Sequence, residues 1–213
     1  MAHTKGNNYQ NVITGALRVA EETGRLPGNF KDLERSSDLT DEEISRDFAS
    51  MEALRAGLID HGLTLLADAL AGAAVHADPH DPRDQIMAMS RAFFSWGAEN
   101  RALFALLGQA LLDPKLAKGS VLERHRSAIR DLVLRKLKEC QGLGMIPEDA
   151  DLDLMLASTH SLILGASSML IYNRLDNWYT PECKNVETLA IAMLDQFFKT
   201  MIRPLPADGK GRT

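Results

Sequence analysis

A helical period runs almost without interruption through this chain, and that pattern constrains the fold more than any other feature. Apolar residues recur at three- and four-residue spacing over most of the 213 residues. No stretch alternates apolar and polar side chains long enough to read as a strand. Such a chain buries its apolar stripes helix against helix, so the expected fold class is all-α. An apolar content of 45% at this length supplies core enough for a small domain joined to a larger one.

Breaks in the period set the expected elements, about nine helices in all. Val12, Ile13, Ala16, Leu17 and Ala20 stripe a first helix from about Asn8 to Thr23, and Gly24 ends it. Asn29 is a good N-cap for a brief second helix to about Arg35. After the turn Ser36-Ser37-Asp38-Leu39, Thr40 opens a third, with Glu43 three residues on as a capping box. Ser50 caps a long fourth helix to about Ala77, and the proline-rich stretch His76 to Pro82 ends it. Further helices are expected at about Pro82–Asn100, Arg101–Leu112, Ser120–Gln141, Asp149–Leu175 and Pro181–Ile202. Asp113-Pro114, Gly142-Leu143-Gly144 with Pro147, and Asn177 to Pro181 separate them. This order predicts a helix-turn-helix head over 1–50, a helical body over 51–203 and a disordered tail over 204–213.

Several function classes are excluded. No apolar run approaches the roughly 18 uncharged residues of a membrane span, and the start has no apolar signal core. Cys140 and Cys183 make neither a disulfide framework nor a zinc site, and they fit a reducing cytoplasm. His76, Asp78, His80 and Asp81 share a proline-rich loop, a poor metal cage. Neither a nucleophile elbow nor a glycine-rich phosphate loop is present, so no enzyme, metal or cofactor is expected. The net charge is −5, and residues 1–60 hold seven basic against eleven acidic residues, a difference of −4. That sign opposes a broad electrostatic footprint on phosphates.

The stretch from Ala16 to Leu54 resembles the N-terminal domain of TetR-type transcriptional regulators. Gly24 matches the glycine after the first helix. Phe30, Leu33, Leu39, Ile44 and Phe48 match the apolar frame, and Ala49-Ser50-Met51-Glu52-Ala53-Leu54 matches the opening of helix four. Phe93-Phe94-Ser95-Trp96-Gly97-Ala98-Glu99-Asn100 with Leu103-Phe104 resembles a segment of many C-terminal domains of that family. Departures fall on the DNA-facing surface. Asp38 stands where the turn usually has glycine, Ser45 where tyrosine is usual, Asp47 where an aromatic is common, and Met51 where lysine opens helix four.

The resemblance implies a cytoplasmic homodimer, probing a double-stranded DNA operator with its heads and a small apolar effector with its bodies. Asn29, Lys31, Thr40, Ser45 and Arg46 are the candidate DNA contacts. Phe93, Trp96, Phe104, His125, Met155 and His160 are the candidate effector contacts, from a set of large, soft residues that includes Met87, Met89, Phe94, Leu107 and Met169. Leu162, Gly165, Ala166, Met169, Leu189, Met193 and Phe197 are the candidate dimer contacts, grouped round the small-residue patch Gly165-Ala166-Ser167-Ser168. Two readings follow. One is an effector-responsive repressor. The other is a dimer of the same fold whose acidic head has lost DNA and serves as a ligand-binding or protein-interaction module.

Overall fold

The computed structural model describes residues 3–112, 121–172 and 185–205. Its helices are α1 (His3–Thr23), α2 (Phe30–Ser36), α3 (Asp41–Asp47), α4 (Met51–His76), α5 (Pro82–Glu99), α6 (Arg101–Leu112), α7 (Val121–Gly142), α8 (Leu152–Tyr172) and α9 (Val186–Met201). No strand occurs among the described residues. The chain is all-α, as its period predicts.

Local chemistry sets the helix ends. Asp32 N donates to Asn29 Oδ1 at 2.9 Å at the start of α2. Thr40 and Glu43 form the expected capping box at α3. Glu43 N donates to Thr40 Oγ1 at 3.2 Å, and Thr40 N donates back to Glu43 Oε2 at 2.8 Å. Ser50 Oγ accepts from Ala53 N at 3.2 Å at the start of α4. Asp81 Oδ1 accepts from Arg83 N and Asp84 N at 2.9 and 3.1 Å, with Pro82 in the first turn of α5. Gly24 stops α1 at φ +73°, a conformation that other residues adopt only with strain.

Two boundaries differ from the sequence reading. α1 begins at His3 rather than Asn8. Asn8, polar and outside the stripe, has tertiary partners: its Nδ2 donates to Glu43 O at 2.8 Å and to the Asp47 carboxylate. α8 begins at Leu152 rather than Asp149. A turn closed by Ala150 N to Pro147 O at 3.1 Å precedes it, and Asp151 Oδ1 accepts from Leu154 N at 2.9 Å. Asp113-Pro114, the Asn177–Pro181 break, Cys183, the outer ends of the last two expected helices and all but the first two residues of the expected tail lie outside the described residues.

Helices α1 to α3 enclose a small core in which Val12, Ile13, Ala16, Leu33 and Ile44 are fully buried. Phe48 closes it, stacked on Tyr9 at 4.9 Å between ring centroids. The packing is close. A Cβ at Gly15 would fall 2.7 Å from Leu39 Cδ1, so a larger residue there would push the end of the Leu39 side chain aside. The head meets the rest of the molecule through α1, which touches both α4 and α6.

In the body α4 packs most extensively on α5, and α5 on α9. Phe94 is fully buried, and Phe93 stands edge-on to Phe94 and Phe104 at 5.1 and 5.3 Å. Two polar links tie α5 to α9: Arg91 Nη2 to Asp195 Oδ2 at 2.9 Å, and Ser95 Oγ to Glu187 Oε1 at 3.0 Å. Arg203 N, just after α9, donates to Met145 O at 2.8 Å in the loop after α7. α4 and α8 have mean hydropathy windows of 1.4 and 1.5, long and apolar enough by composition to cross a membrane. This corrects the expectation that no stretch is long and apolar enough for a span; both helices pack against several others of the fold, with 33% and 22% of those windows buried.

Candidate effector cavity and nucleic-acid interface

The helix-turn-helix surface carries all five candidate DNA contacts, each exposed. Three of them use their polar atoms locally. Asn29 caps α2 and its Nδ2 also donates to Asp32 Oδ2 at 2.9 Å. Thr40 is held in the capping box, and Ser45 Oγ donates back to Asp41 O. Lys31 and Arg46 form no ion pair among the described residues, whereas the neighbouring Arg35 faces Asp32 at 3.7 Å and Arg18 faces Asp38 at 3.1 Å. Asp41 and Glu42 stand exposed in the first turn of α3. They favour the positive end of the helix dipole. Hydrogen bonds from Thr40, backbone N–H first and hydroxyl second, hold the Glu43 carboxyl below the usual carboxylate range, so it stays ionised.

The body encloses a cavity of about 480 Å³. Five helices, α4 to α8, build its wall, and Phe198 of α9 closes one side. The lining is overwhelmingly apolar: Leu66 and Leu70 of α4, Ile86 and Met89 of α5, Phe104 and Leu107 of α6. The size and character are those of a small-molecule site. The wall residues left exposed are Arg126 and Arg130 on α7 and Asp153, Ala157 and His160 on α8, so the cavity opens between these two helices. Arg130 faces Asp131 at 3.2 Å and Asp153 at 3.6 Å. Arg126 has no ion-pair partner among the described residues.

The structure brings Phe93, Phe104 and His160 together on this wall, with Met89 and Leu107 from the wider set. Trp96, His125 and Met155 are not on it. Trp96 is buried against Phe104 at 6.4 Å between centroids. His125 precedes Arg126, and one residue turns a helical side chain by about 100° from its neighbour's direction. Met155 lies one turn before Thr159 and is packed into the core. Met87 and Phe94 are likewise core residues. The charged residues of the mouth were missed by the sequence reading. Their signal was spacing: Arg126 and Arg130 are four apart, and Asp153, Ala157 and His160 follow at four and three, so each set shares one helix face.

On the other side of α8, Leu162 joins Leu189, Met193 and Phe197 of α9 round a shallow apolar groove. Ala192, Gln196, Thr200 and Met201 complete it, and no charged side chain lines it. Gly165 is exposed and Met169 half-buried. Ala166 is fully buried within its own subunit, which corrects its assignment to a subunit interface. The helical turn leaves Gly165 and Ser168 outward and Ala166 and Ser167 inward, Ser167 onto the cavity wall. Cys140 is buried too, and burial pushes its thiol up to about 12. That thiol is inert, not a redox sensor.

Comparison with known proteins gives one kind of match. No protein-family model and no curated protein matches the sequence. Solved structures do match along almost the whole chain. A Rhodococcus sp. RHA1 protein of unknown function superposes with a TM-score of 0.71 at 23% identity, covering 92% of this chain and 96% of its own. The TetR-family transcriptional regulator PfmR of Thermus thermophilus gives 0.66 at 20% identity, covering 88% and 97%. The fatty acid degradation regulator FadR of Bacillus halodurans gives 0.65 at 16% identity, covering 89% and 97%. Head, long connecting helix and cavity-bearing body together give this chain the fold of the TetR-family transcriptional regulators.

Proposed function

We propose that the chain is an effector-responsive transcriptional regulator, a cytoplasmic homodimer that represses by binding an operator and is switched by an apolar ligand in the body. The observation that carries this reading is the cavity's position relative to the head. Phe104, Leu107 and Gly108 of α6 line the cavity, and the same helix touches α1 of the head and α4 beside it. Arg55 Nη2 near the start of α4 donates to Gln109 Oε1 of α6 at 3.2 Å. A ligand that shifts α6 therefore bears on the head through α1 and α4, and a ligand with different affinity for the two head positions changes operator affinity. The uncharged α8–α9 groove supports dimerisation, since self-association covers such a face and spaces the two heads along DNA. The domains read from sequence, 1–50 and 51–203, keep these roles in the proposal.

The test is a gel shift with the DNA upstream of the protein's own coding sequence at ~50 mM salt. The expected result is a shifted band that Arg46→Ala abolishes while light scattering still reports a dimer. One observation favours the second reading, a protein-interaction or ligand-binding dimer: Asp41, Glu42 and Asp47 surround Arg46 on α3, and carboxylates there repel phosphate. A folded dimer that shifts no DNA establishes that reading instead.

A further inference from the structure

We propose that the cavity takes a single-chain amphiphile with an anionic head group, its apolar chain inside and its oxyanion at the mouth on Arg126. This rests on reading the cavity as a ligand site, and it adds the chemical class of the ligand.

Three observations converge. The interior offers an apolar chain what it needs and offers a polar group little, since Leu66, Leu70, Ile86, Met89, Phe104 and Leu107 are apolar and lie deep in the wall. The charged and the exposed wall residues all sit on α7 and α8, whereas the hydroxyls of Ser90 and Thr159 elsewhere on the wall donate to carbonyls of their own helices, so charge is confined to one end. A ligand that satisfies both ends is amphiphilic, with its head between those helices. The charges then choose its sign. Arg130 has Asp131 and Asp153 beside it at 3.2 and 3.6 Å and needs no further anion. Arg126, one turn earlier on the same face of α7, has no ion-pair partner among the described residues. Counting the wall itself, two arginines stand against the single carboxylate of Asp153, with His160 as a further polar group. A carboxylate or phosphate on the ligand completes that set, and a guanidinium offers either one two parallel hydrogen bonds. A cationic head group would meet a surplus of like charge. An alcohol would leave Arg126 with water alone.

Isothermal titration of the full chain with decanoate, decyl phosphate, 1-decanol and decyltrimethylammonium tests this directly. The expected result is that at least one of the two oxyanions binds about tenfold tighter than decanol, and that the cation binds weakest. Their order tells whether a fatty carboxylate or an alkyl phosphate is the better fit. Decanoate should bind about fifteenfold tighter than octanoate, since two methylenes are buried. Arg126→Ala should erase the preference for oxyanions and leave decanol binding unchanged, and Arg126→Glu should reverse it toward the cation. Ala157→Trp, at an exposed position on the mouth, should weaken all four. Equal binding of decanol and both oxyanions, or a preference that survives Arg126→Ala, overturns the inference while the cavity remains a ligand site. Failure of all four to bind overturns the cavity reading with it.

Discussion

In the head, Asn29 caps α2, Thr40 caps α3 and Ser45 bonds back to its own helix, whereas in the body Arg126 stands at a cavity mouth with no ion pair among the described residues. The two regions share helix caps but differ in what surrounds the cations that have no ion pair among the described residues, an open helix-turn-helix surface in the head and an apolar cavity in the body. The head uses its polar side chains to start and stop short helices of seven residues each, which could not hold their shape by propensity alone. The body's long helices carry caps as well, Ser50 on α4, Asp81 on α5 and Asn185 on α9, yet its cavity mouth keeps a guanidinium that no carboxylate among the described residues pairs with. The lesson is that exposure alone does not make a side chain available. All five candidate DNA contacts are exposed, yet only Lys31 and Arg46 carry charge without an ion pair among the described residues.

The sharpest way to break the comparison is at the aromatic cluster. Phe94→Ala removes a ring buried on all sides, and urea denaturation should report a loss of about 3–5 kcal/mol. Phe93→Ala, whose ring borders the cavity and is half-buried, should cost about half of that or less. Equal losses would mean that the space beside Phe93 is packed, not open. Next in size is the α5–α9 link. Asp195 is largely buried, and its Oδ1 has no hydrogen-bond partner among the described residues. Arg91→Ala should therefore cost about 1–3 kcal/mol by leaving the carboxylate unpaired, and Arg91→Ala with Asp195→Asn should recover part of it. Recovery of nothing would show that Arg91 acts by packing alone.

The smallest effects belong to the caps of the head. Thr40→Ala should destabilise it by about 1 kcal/mol, read from amide exchange in α3. The capping box also has a pH signature. The folded Glu43 carboxyl ionises at lower pH than an ordinary glutamate. Its contribution is therefore present above the unfolded value of about 4.3 and disappears as pH falls through the lower folded value. Glu43→Gln should flatten the acid limb of the head's stability curve by lowering stability at pH 7 to 8, and leave stability nearly unchanged below the folded value. An identical acid limb in both proteins would remove Glu43 from that account.

Legibility in the sequence divides along the same line between head and body. The head was readable because its signals are local: Gly24, Asn29, Thr40 with Glu43, and Ser50 each act on residues within four positions, and the structure uses every one. The apolar frame from Leu33 to Phe48 came from the resemblance to the TetR-type head, and Leu33, Ile44 and Phe48 are buried as it implies. The cavity was not readable in that way. Phe93, Trp96 and Met155 are equally good cavity candidates by residue type, and which of them faces the space depends on how five helices cross. Ala166 shows the same limit, since a small residue in a small-residue patch looks alike whether it faces a partner or its own core. Arg126 and Arg130 stood in the sequence as two charges on a helix face, ordinarily a solvated surface, until α8 came alongside them.

The proposed function has the head hold DNA with a sparse electrostatic grip and leaves sensing to the body. Fluorescence anisotropy of the upstream DNA across a salt series tests it most directly. With Lys31 and Arg46 as the phosphate contacts of each head, a dimer neutralises about four phosphates, and log K should fall against log salt with a slope near −4. No binding even at ~50 mM salt by a folded dimer, or a slope near −10 that demands many more cations, would contradict it.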